Sequence, residues 1–479
     1  MEMFIDGRPS PAASGQRQQV TNPTTGAVID TVPTGAAEDA DRAVRAAERA
    51  FSTWRSTPVG ERARLQRKTA ALMREHAGEI GRTLTAELGR PVAGAIAEIE
   101  RSADLLEVYA EEGLRLHAEV IASSPGSKIL VTREPVGVVV AITPFNYPVT
   151  LLTFKLGAAL IAGCTVVAKP AEDTPLSTLM LAALFHEAGY PAGCFNVVTG
   201  KGRDLGMALV EHPVPAKIAF TGGTAAGKAI AAAAAGTVKR LTLELGGQSP
   251  AIVCADADLD KAAAAIGRHG FANSGQFCYR VNRVYVERPV YEAFLDRLGA
   301  EAARITVGDG QSGSVGMGPL VNEKIFANSM RHIADARDKG ARILCGGDRL
   351  RGGIFDRGFF LPPTVVADAD HSMLVMTEET FGPVLGVMPV DTVADALRLA
   401  NDTRYGLAGF VFTRDFGRGL ALAERIGAGS IWVNDIHRSH HGAPFGGMKE
   451  SGIGREKGRW GVESYLEYKT VYLSYEEGL

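Results

Sequence analysis

The spacing of apolar residues predicts that the first part of the chain is mainly helical. After short strands and turns up to residue 36, apolar side chains between 38 and 54 recur every three or four positions, as on the buried face of an α-helix. Longer helical patterns follow at 61–88 and 93–116, and Gly89-Arg90-Pro91 between them is a typical helix stop. This part of the sequence predicts packing elements, and no grouping of its side chains indicates chemistry.

From residue 136 the pattern changes to short apolar runs that alternate with helical segments. The run 138–142 is apolar throughout, which is typical of a strand buried on both faces of a parallel sheet. The alternation predicts a doubly wound α/β domain. Its predicted elements are strands at 138–142, 165–168, 195–198, 216–221 and 241–245 and helices at 151–161, 176–188 and 225–235.

The same alternation returns in the second half of the chain and predicts another α/β domain with its own core. Its predicted elements are strands at 251–253, 364–366, 385–390 and 409–412 and helices at 260–268, 291–304, 322–339, 393–401 and 418–426.

Two further segments have the pattern of sheet edges. Residues 128–134 alternate polar and apolar side chains, and residues 468–473 are rich in aromatic and β-branched ones. Either segment could pair with an exposed strand edge of its own subunit or of a neighbour.

Composition narrows the function classes. The 479 residues are 46% hydrophobic and 22% charged, as in ordinary globular proteins, and they are too many for one core. The net charge of −3 gives no reason to expect nucleic-acid or anionic-membrane partners. Five cysteines without a CxxC pair argue against a disulfide framework or a thiolate zinc site and predict a reducing, cytoplasmic setting. The N-terminus lacks a signal-peptide pattern, and no apolar run is long enough to span a bilayer.

One cysteine lies where chemistry is possible. Cys278 follows a polar, glycine-containing turn between a helical segment at 258–269 and an apolar strand at 281–286. A structural cysteine would more often lie inside the apolar run, whereas a thiolate at the edge of a loop is accessible to a small substrate. Taken alone, Cys278 is a candidate nucleophile whose role depends on the residues around it.

Ligands of open α/β sheets bind beyond the carboxyl ends of the strands, and several polar residues fall there. Asn146, between prolines, suits an oxyanion donor or an Asx-turn. Glu244, followed by two glycines, suits a general base or a structural glutamate. Lys169 and Glu172 suit ribose hydroxyls or a solvated ion pair. The glycine turn at 222–223 suits a phosphate or a tight strand-to-helix connection.

Taken together, these residues resemble the aldehyde dehydrogenase superfamily. Its motifs occur here in family order and extend over nearly the whole chain, which makes a chance match negligible. They are Pro144-Phe145-Asn146-Tyr147-Pro148, Lys169-Pro170-Ala171-Glu172-Asp173-Thr174-Pro175, Phe220-Thr221-Gly222-Gly223-Thr224, Leu243-Glu244-Leu245-Gly246-Gly247, Gly275-Gln276-Phe277-Cys278, Glu378-Glu379-Thr380-Phe381-Gly382-Pro383 and Pro444-Phe445-Gly446-Gly447.

The resemblance implies an α/β subunit in three parts. A Rossmann-like NAD-binding domain is expected from 1–117 and 136–246, and a catalytic domain from 247–445. A small β element that serves oligomerisation is expected from 118–135 and 446–479. Because members of the family are usually dimers or tetramers, a homodimer or homotetramer is expected.

The resemblance also implies a mechanism of the hydrolytic, non-acylating type. Cys278 would attack a small aldehyde, and the side chain of Asn146 and the Cys278 backbone N–H would hold the oxyanion. Hydride would leave to the nicotinamide, and Glu244 would activate the water that releases the acid.

The resemblance implies that Lys169 and Glu172 contact the adenosine ribose and that Gly222 and Gly223 contact the pyrophosphate. It implies that Glu379 and Phe381 contact the nicotinamide ribose. Elsewhere along the cofactor, the implied contacts are Thr143, Pro144, Phe145 and Leu245. Glu172 can accept hydrogen bonds from both ribose hydroxyls but repels a 2′-phosphate, which favours NAD over NADP. Gly223 replaces a common serine and removes one phosphate hydrogen bond, and Phe145 replaces a common tryptophan.

The stretches 332–336, 345–347 and 401–403 are similar to succinate-semialdehyde dehydrogenases, which hold a substrate carboxylate with arginines. The matching positions here are Phe154 and Ala272, so that clamp is absent. The expected pocket is largely aromatic and favours an apolar or aromatic aldehyde. Its lining is Tyr147, Phe154, Phe277, Tyr279 and Phe445.

Several alternatives stay open. Arg280, Arg438 or the loop histidines His437, His440 and His441 could form a different anion site, as in a succinate-semialdehyde dehydrogenase with a non-standard carboxylate site. The histidines favour a substrate-entrance loop over a metal site, and no metal is expected. A coenzyme-A-acylating relative usually lacks the base that Glu244 supplies. A non-catalytic structural relative would lose the nucleophile or cofactor residues, and a bare thiol esterase would need no nucleotide.

Overall fold

The structure is a computed structural model that describes residues 1–121 and 123–476. Among these residues, no helix combines the length and the apolar character needed to cross a membrane. The segments 118–135 and 446–479, expected to form the β element, include residues 122 and 477–479, and the prediction for those four lies outside the described residues.

The helices are α1 Ala37–Trp54, α2 Val59–Glu75, α3 Ala77–Leu88, α4 Val92–Leu114, α5 Pro148–Ala162, α6 Leu176–Ala188, α7 Met207–Glu211, α8 Thr224–Ala235, α9 Leu259–Phe271, α10 Tyr291–Ala303, α11 Glu323–Asp338, α12 Leu374–Thr377, α13 Val393–Asn401, α14 Phe416–Arg425 and α15 Gly458–Glu463. The strands are β1 Met3–Ile5, β2 Arg8–Ser10, β3 Arg17–Thr21, β4 Val28–Pro33, β5 Glu119–Ile121, β6 Ser127–Pro135, β7 Val138–Ile142, β8 Thr165–Lys169, β9 Phe195–Val197, β10 Lys217–Thr221, β11 Arg240–Glu244, β12 Ser249–Val253, β13 Val281–Glu287, β14 Arg342–Cys345, β15 Thr364–Ala367, β16 Val384–Val390, β17 Ala408–Phe412, β18 Ser430–Val433, β19 Gly452–Ile453 and β20 Leu466–Ser474.

An eight-stranded sheet has the order β19-β11-β10-β7-β8-β9-β1-β2. Its central strands β11 to β9 are parallel, and the pairings of β19 with β11, of β9 with β1 and of β1 with β2 are antiparallel. Alternate residues of β7 pack into different cores: Val139 lies with Leu152 of α5, and Val140 with Ala43 of α1. Helices therefore cover both faces, which confirms the predicted doubly wound arrangement.

A seven-stranded sheet has the order β14-β15-β16-β13-β12-β17-β18. All of its pairings are parallel except that of β14 with β15. It is also covered on both faces, because Ala251 and Ile252 of β12 pack into different cores. This is the second α/β unit that the alternating pattern predicts.

The two segments predicted to behave as sheet edges pair with each other. In a three-stranded sheet of order β20-β6-β5, β6 and β20 are antiparallel from Ser127↔Ser474 to Pro135↔Leu466. Val120 of β5 and Tyr468 and Tyr472 of β20 stay exposed. The strands β3 and β4 form a separate antiparallel pair.

The helix predicted at 61–88 is wrong in one respect, because the structure divides it into α2 and α3. The backbone of His76 has φ −94° and ψ 7°, outside the helical range, and it ends α2 and precedes α3. The break lets α3 turn to pack against α4 and α6. Apolar spacing does not show such a break, because both helices bury apolar residues and no proline or glycine occupies the joint.

The register of the eight-stranded sheet determines where polar residues meet. Phe220 of β10 lies beside Ile142 of β7, and Thr221 beside Glu244 of β11, in parallel pairs. The carboxyl ends of these three strands therefore reach the same edge, where ligands of such sheets bind. The chain then crosses to β12, so the second unit begins at this edge.

Candidate active site

Cys278 lies on the connection from α9 to β13, whose backbone is tightly constrained. Asn273, Ser274 and Gly275 have φ values of 49°, 57° and 73°, all in the left-handed region. A Cβ at Gly275 would collide with the Gly382 carbonyl, so only glycine fits this turn. The turn holds the half-buried Cys278 thiol in place beyond the sheet.

Asn146 is tied to this same connection by hydrogen bonds. Its side-chain Nδ2 donates to the Gln276 carbonyl at 2.9 Å. In return, Nδ2 of Asn273 donates to the Asn146 carbonyl at 3.1 Å and to that of Gln276 at 3.2 Å. Hydrogen bonds from side-chain amides therefore hold Asn146 next to the loop that carries Cys278, although the two residues lie far apart in the sequence.

Two cavities meet at Cys278. One has a volume of about 330 Å³ and is lined mainly by aromatic side chains. The other has a volume of about 650 Å³ and includes the ends of β10 and β11 in its lining. Cys278, Asn146 and Leu151 line both. Molecules placed in the two cavities can therefore approach the same thiol from different sides.

Glu244, at the end of β11, is buried, and neither of its carboxylate oxygens has a hydrogen-bond partner among the described residues. A Cβ at Gly446 would lie 2.6 Å from Glu244 Oε1, so glycine leaves the room that this carboxyl needs. Burial, and then the negative charge of Glu456, raise the pKa of Glu244 well above its usual value. Such a carboxyl holds its proton more tightly than an exposed glutamate does.

A buried ionic cluster lies beside Glu244. Lys155 Nζ donates to Glu456 Oε1 at 2.7 Å and to Thr221 Oγ1 at 2.6 Å. Lys457 Nζ donates to Ser439 Oγ and to the His440 carbonyl, both at 2.8 Å. Burial lowers the pKa of Lys457 to about 8, against the opposing effect of the nearby carboxylates.

The Cys278 thiol is protonated in this environment. Burial raises its pKa above the usual value, and the negative charges of Glu244 and Glu379 raise it further. Because the thiolate is the nucleophilic form, attack requires a base that accepts the thiol proton.

The larger cavity contains most of the predicted cofactor residues. Phe381 meets Phe145 edge-on, with ring centroids 5.8 Å apart. Glu379 Oε1 accepts the Gly247 N–H at 3.0 Å, and burial raises the pKa of Glu379 to about 7. The predicted residues that line the cavity are Pro144, Phe145, Gly222, Gly223, Leu245, Glu379 and Phe381.

Three predicted cofactor residues lie outside that lining. The Thr143 N–H donates to the Lys169 carbonyl at 3.1 Å, and Lys169 Nζ donates to the Pro170 carbonyl at 3.0 Å. Glu172 Oε1 accepts the Gly202 N–H at 3.0 Å. All three follow or end β7 and β8, so they extend the same sheet edge beyond the cavity.

The family follows from comparison with known proteins. The profile of the Aldehyde dehydrogenase family matches residues 11–471. The chain belongs to the aldehyde dehydrogenase family. It is 42% identical to the 3-sulfolactaldehyde dehydrogenase of Pseudomonas putida over 473 residues, which are 98% of this chain and 96% of that protein. It is 41% identical to the NADP(+) succinate-semialdehyde dehydrogenase GabD of Escherichia coli K12, over 98% of this chain and 97% of that protein.

The fold of this aldehyde dehydrogenase also matches those of solved structures. A betaine aldehyde dehydrogenase from Staphylococcus aureus in complex with NAD+ superposes with a TM-score of 0.97, at 35% identity, covering 100% of this chain and 95% of that one. An aldehyde dehydrogenase from Brucella melitensis biovar abortus 2308 gives 0.96 at 39% identity, covering 99% and 98%. The predicted fold and family are confirmed, and the protein is an oxidoreductase that acts on small aldehydes with NAD or NADP.

In this aldehyde dehydrogenase, the smaller cavity has the aromatic wall that the sequence predicts. Tyr279 packs edge-on against Phe277 and Phe445, with centroids 5.2 Å and 5.4 Å apart. Tyr147 meets Phe277 at 6.4 Å, and Phe154 meets Phe445 at 6.4 Å. All five predicted pocket residues line the cavity.

Two cationic side chains of the smaller cavity were missed from the sequence. Arg101 is on α4, a helix to which no chemistry was assigned, and Lys457 follows the last family motif. Both lie far from Cys278 in sequence, and neither is in a recognisable motif, so no local signal marks them. The remaining lining residues without any predicted role are Val108, Thr150, Leu151 and Ser439.

The larger cavity also contains residues of α11 that were not predicted. Lys324, Asn328 and Arg331 lie three or four positions apart on one face of that helix. This spacing of polar residues was available in the sequence. The other unpredicted lining residues are Thr221, Gly246, Ile325 and Ala327.

The structure places one of the suggested anion-site residues away from the smaller cavity and others in its lining. Arg280 is buried and donates to the carbonyls of Gly270, Val281 and Val384, so it does not reach the cavity. Arg438, by contrast, lines it. Among the loop histidines, His440 and His441 also line the cavity. No group of three potential metal ligands occurs in the part of the chain that the structure describes.

Proposed function

We propose that this enzyme oxidises an aldehyde to its carboxylic acid by covalent catalysis at Cys278. The thiol adds to the aldehyde carbonyl and forms a thiohemiacetal, which loses hydride and becomes a thioester. Water then cleaves the C–S bond, which releases the acid and restores the thiol. The observation that supports this proposal best is the position of Cys278, whose thiol lies where two separate cavities meet.

Asn146 is proposed to hold the oxyanion of the tetrahedral intermediate together with the Cys278 backbone N–H. One of the two Nδ2 hydrogens of Asn146 is used by the Gln276 carbonyl, which leaves the second hydrogen for the substrate. Because that hydrogen bond also holds the amide in place, the donor is preorganised before substrate binds.

Glu244 is proposed to act as the base. Its raised pKa makes it a stronger base than an exposed glutamate, and its unpaired oxygens are available to a thiol or a water. The carboxylate accepts the thiol proton before attack, and it accepts a proton from the hydrolytic water in the second half-reaction. This role separates the enzyme from coenzyme-A-acylating relatives, which would pass the thioester to a thiol.

The larger cavity fits a dinucleotide, which when bound supplies the hydride acceptor. Gly222 and Gly223 precede α8, and a Cβ at Gly223 would meet no atom within 4 Å, so a phosphate can approach the helix N-terminus. In our assignment, the nicotinamide ribose binds at the end of this cavity that is nearer to Cys278, next to Glu379 and Phe381. Lys169 and Glu172 continue the site toward the adenosine ribose.

We propose NAD rather than NADP as the cofactor. The Gly202 N–H holds the Glu172 carboxylate at 3.0 Å on the sheet edge where the adenosine ribose is expected. A carboxylate there repels a 2′-phosphate. The relative GabD carries NADP(+) in its name, so the preference of this chain needs a direct measurement.

For the substrate, we propose an aldehyde with an apolar or aromatic body, because five aromatic rings surround the smaller cavity. A second candidate is an aldehyde with an anionic group, as in a succinate-semialdehyde dehydrogenase with a non-standard carboxylate site. Arg101, Arg438 and Lys457 line the cavity without any carboxylate among its lining residues. Relatives at about 41% identity are named for sulfolactaldehyde, succinate semialdehyde and glutarate semialdehyde.

We also propose the domain division 1–117 with 136–246, 247–445, and 118–135 with 446–479. The exposed tyrosines Tyr468 and Tyr472 on β20 support assembly of a homodimer or homotetramer through the three-stranded sheet. The cysteines are all free, which supports a reducing, cytoplasmic setting.

The deciding experiment is NADH formation, followed at 340 nm, against neutral aliphatic, aromatic and anionic aldehydes, with NAD and NADP in parallel. Cys278→Ala should abolish turnover, whereas Cys345→Ala, which removes another partly buried free thiol, should retain it. Equal loss in both variants, or turnover by Cys278→Ala, would overturn the mechanism. A strict requirement for coenzyme A would overturn the role of Glu244.

A further inference from the structure

A third cavity of about 350 Å³ lies where the α1–α2 connection meets β6. It shares no lining residue with either cavity at Cys278. Its lining includes Arg55, Arg62, Arg133 and His117 and no carboxylate. The remaining lining residues are apolar or small, apart from a threonine. A cavity that combines three guanidinium groups with apolar walls attracts a negative charge.

Arg62 is the residue that most needs a partner. Its Nε is buried and has no hydrogen-bond partner among the described residues. Burial lowers the pKa of its guanidinium. A partly buried cation without a carboxylate is costly, and a bound anion would offset that cost.

Arg133 lines the same cavity. Its terminal nitrogens bind the His117 carbonyl and Glu119 Oε1, whereas its buried Nε has no partner among the described residues. Arg55 lies 3.6 Å from Glu134 and over the Phe51 ring. Val59, which also lines the cavity, is the first residue of α2, so the positive end of that helix adds to the same field.

We infer that this cavity is a second binding site, separate from the active site, for a small oxyanion such as phosphate or a carboxylate. Arg62 would donate through its terminal N–H groups, as guanidinium groups do toward oxyanions, and Arg133 would add its positive charge. Because β6 and β20 border the cavity, the anion is either a free small molecule or a carboxylate of a neighbouring subunit. The chemistry is the same in both cases, and the test below distinguishes the two sources.

The probe is inorganic phosphate, added at constant ionic strength with chloride as the balancing anion. Thermal unfolding is followed with NAD at saturation, so that phosphate does not compete for the pyrophosphate position. The variant Arg62→Met removes the proposed ligand. Arg64→Met is the matched control, because Arg64 lies on the same helix but is 58% exposed and pairs with Glu61.

If the cavity binds a free small anion, phosphate raises the unfolding midpoint of the wild type and of Arg64→Met by a few degrees. The midpoint of Arg62→Met then does not rise with phosphate. If a carboxylate of a neighbouring subunit binds in the cavity, phosphate has no effect on the unfolding midpoint of the wild type. In that case Arg62→Met lowers the oligomer mass measured by sedimentation, and Arg64→Met does not. If Arg62→Met matches the wild type in both measurements, the inference is overturned.

Two additional variants test whether the response to phosphate arises at this cavity. Arg55→Met removes a more exposed guanidinium, so it should fold even if Arg62→Met does not, and it should weaken the same response. Cys278→Ala should keep the full response to phosphate. Loss of aldehyde oxidation in that variant, together with a retained response, shows that the two sites are independent.

Discussion

The side-chain amide of Asn146 donates a 2.9 Å hydrogen bond to the carbonyl of Gln276, two residues before Cys278. The proposed oxyanion donor is therefore fixed to the same loop that carries the proposed nucleophile. Since Asn273 also binds both Asn146 and Gln276, any shift of the loop moves donor and thiol together. Their relative geometry is thus protected from motions between the two α/β units.

Asn146→Ala should lower kcat for aldehyde oxidation by roughly 10²- to 10³-fold, because one oxyanion donor is lost. The KM for the aldehyde should change much less, since the amide acts mainly in the transition state. Steady-state NADH formation measures both. Asn328→Ala, which alters another polar residue of the larger cavity, is the control and should not reproduce the loss of kcat. A change confined to KM would contradict the proposed role.

Glu244→Gln should separate the two half-reactions. The variant should release one NADH per active site in a slowed first turnover, because the thiol loses its base, and should then stall as the thioester, because water is no longer activated. Stopped-flow absorbance would show this burst. Glu450→Gln, which changes a half-buried glutamate paired with Lys228, should turn over normally. Wild-type hydrolysis should rise with pH as the Glu244 carboxyl ionises at its raised pKa, and Glu244→Gln should lose that dependence.

Glu172→Ser should raise kcat/KM for NADP and lower it for NAD. The substitution removes the charge that repels a 2′-phosphate, and it also removes the acceptor for the ribose hydroxyls. Initial rates with both cofactors at one aldehyde concentration give the ratio. Glu187→Ser, a change at an exposed glutamate on α6, should leave the ratio unaltered. An unchanged ratio in Glu172→Ser would place the adenosine ribose elsewhere.

Arg101→Met tests the second substrate candidate. If an anionic group binds near this guanidinium, KM for succinate semialdehyde should rise about tenfold or more, in line with the loss of one charged hydrogen bond. A neutral aliphatic aldehyde should be affected far less. Arg115→Met is a matched control, because Arg115 directly follows α4 but is exposed and pairs with glutamates one turn away. Equal effects on both aldehydes would show that Arg101 only supports the pocket wall.

His269 should make the fold sensitive to acid. It packs edge-on against Phe277 at 4.9 Å, and burial lowers its pKa to about 3. The unfolded chain therefore binds this proton more readily, and folding stability is lost as pH falls from 6.5 toward 3. The cost is about 1.4 kcal/mol per pH unit within that window.

Urea unfolding midpoints at pH 8 and pH 5 test this expectation. In His269→Gln the difference between the two midpoints should shrink, and in His76→Gln, which alters a more exposed histidine, it should not. The difference should not vanish, because burial also lowers the pKa of His332 to about 4. An unchanged difference in His269→Gln would contradict the assignment.

The sequence predicts those parts of the fold in which the type of each residue matches its own surroundings. Every residue of β7 is apolar and every one is buried, so the run marks the strand without help from distant residues. Asn146, Glu244 and the 222–223 turn were recognised as sheet-edge residues for the same reason, since each follows or ends such a strand.

What the sequence did not reveal depends on contacts between distant residues. Arg101 enters the aldehyde cavity only because α4 packs against α5, and nothing in its own helix distinguishes it from a solvated arginine. The break at His76 is set by where α3 must pack. Lys457 is buried because the chain turns back onto the sheet after β19.

The pairing of β19 with β11 has a consequence for the order in which the enzyme becomes active during its synthesis. Gly452 lies beside Glu244, and Ser451 binds both Leu245 and Gly246, so residues 445–457 complete the surroundings of the proposed base. These residues leave the ribosome after all others in the site. Both α/β units can begin to fold earlier. A nascent chain that already carries Cys278 and Asn146 thus lacks the walls around Glu244 until residues 445–457 have been added.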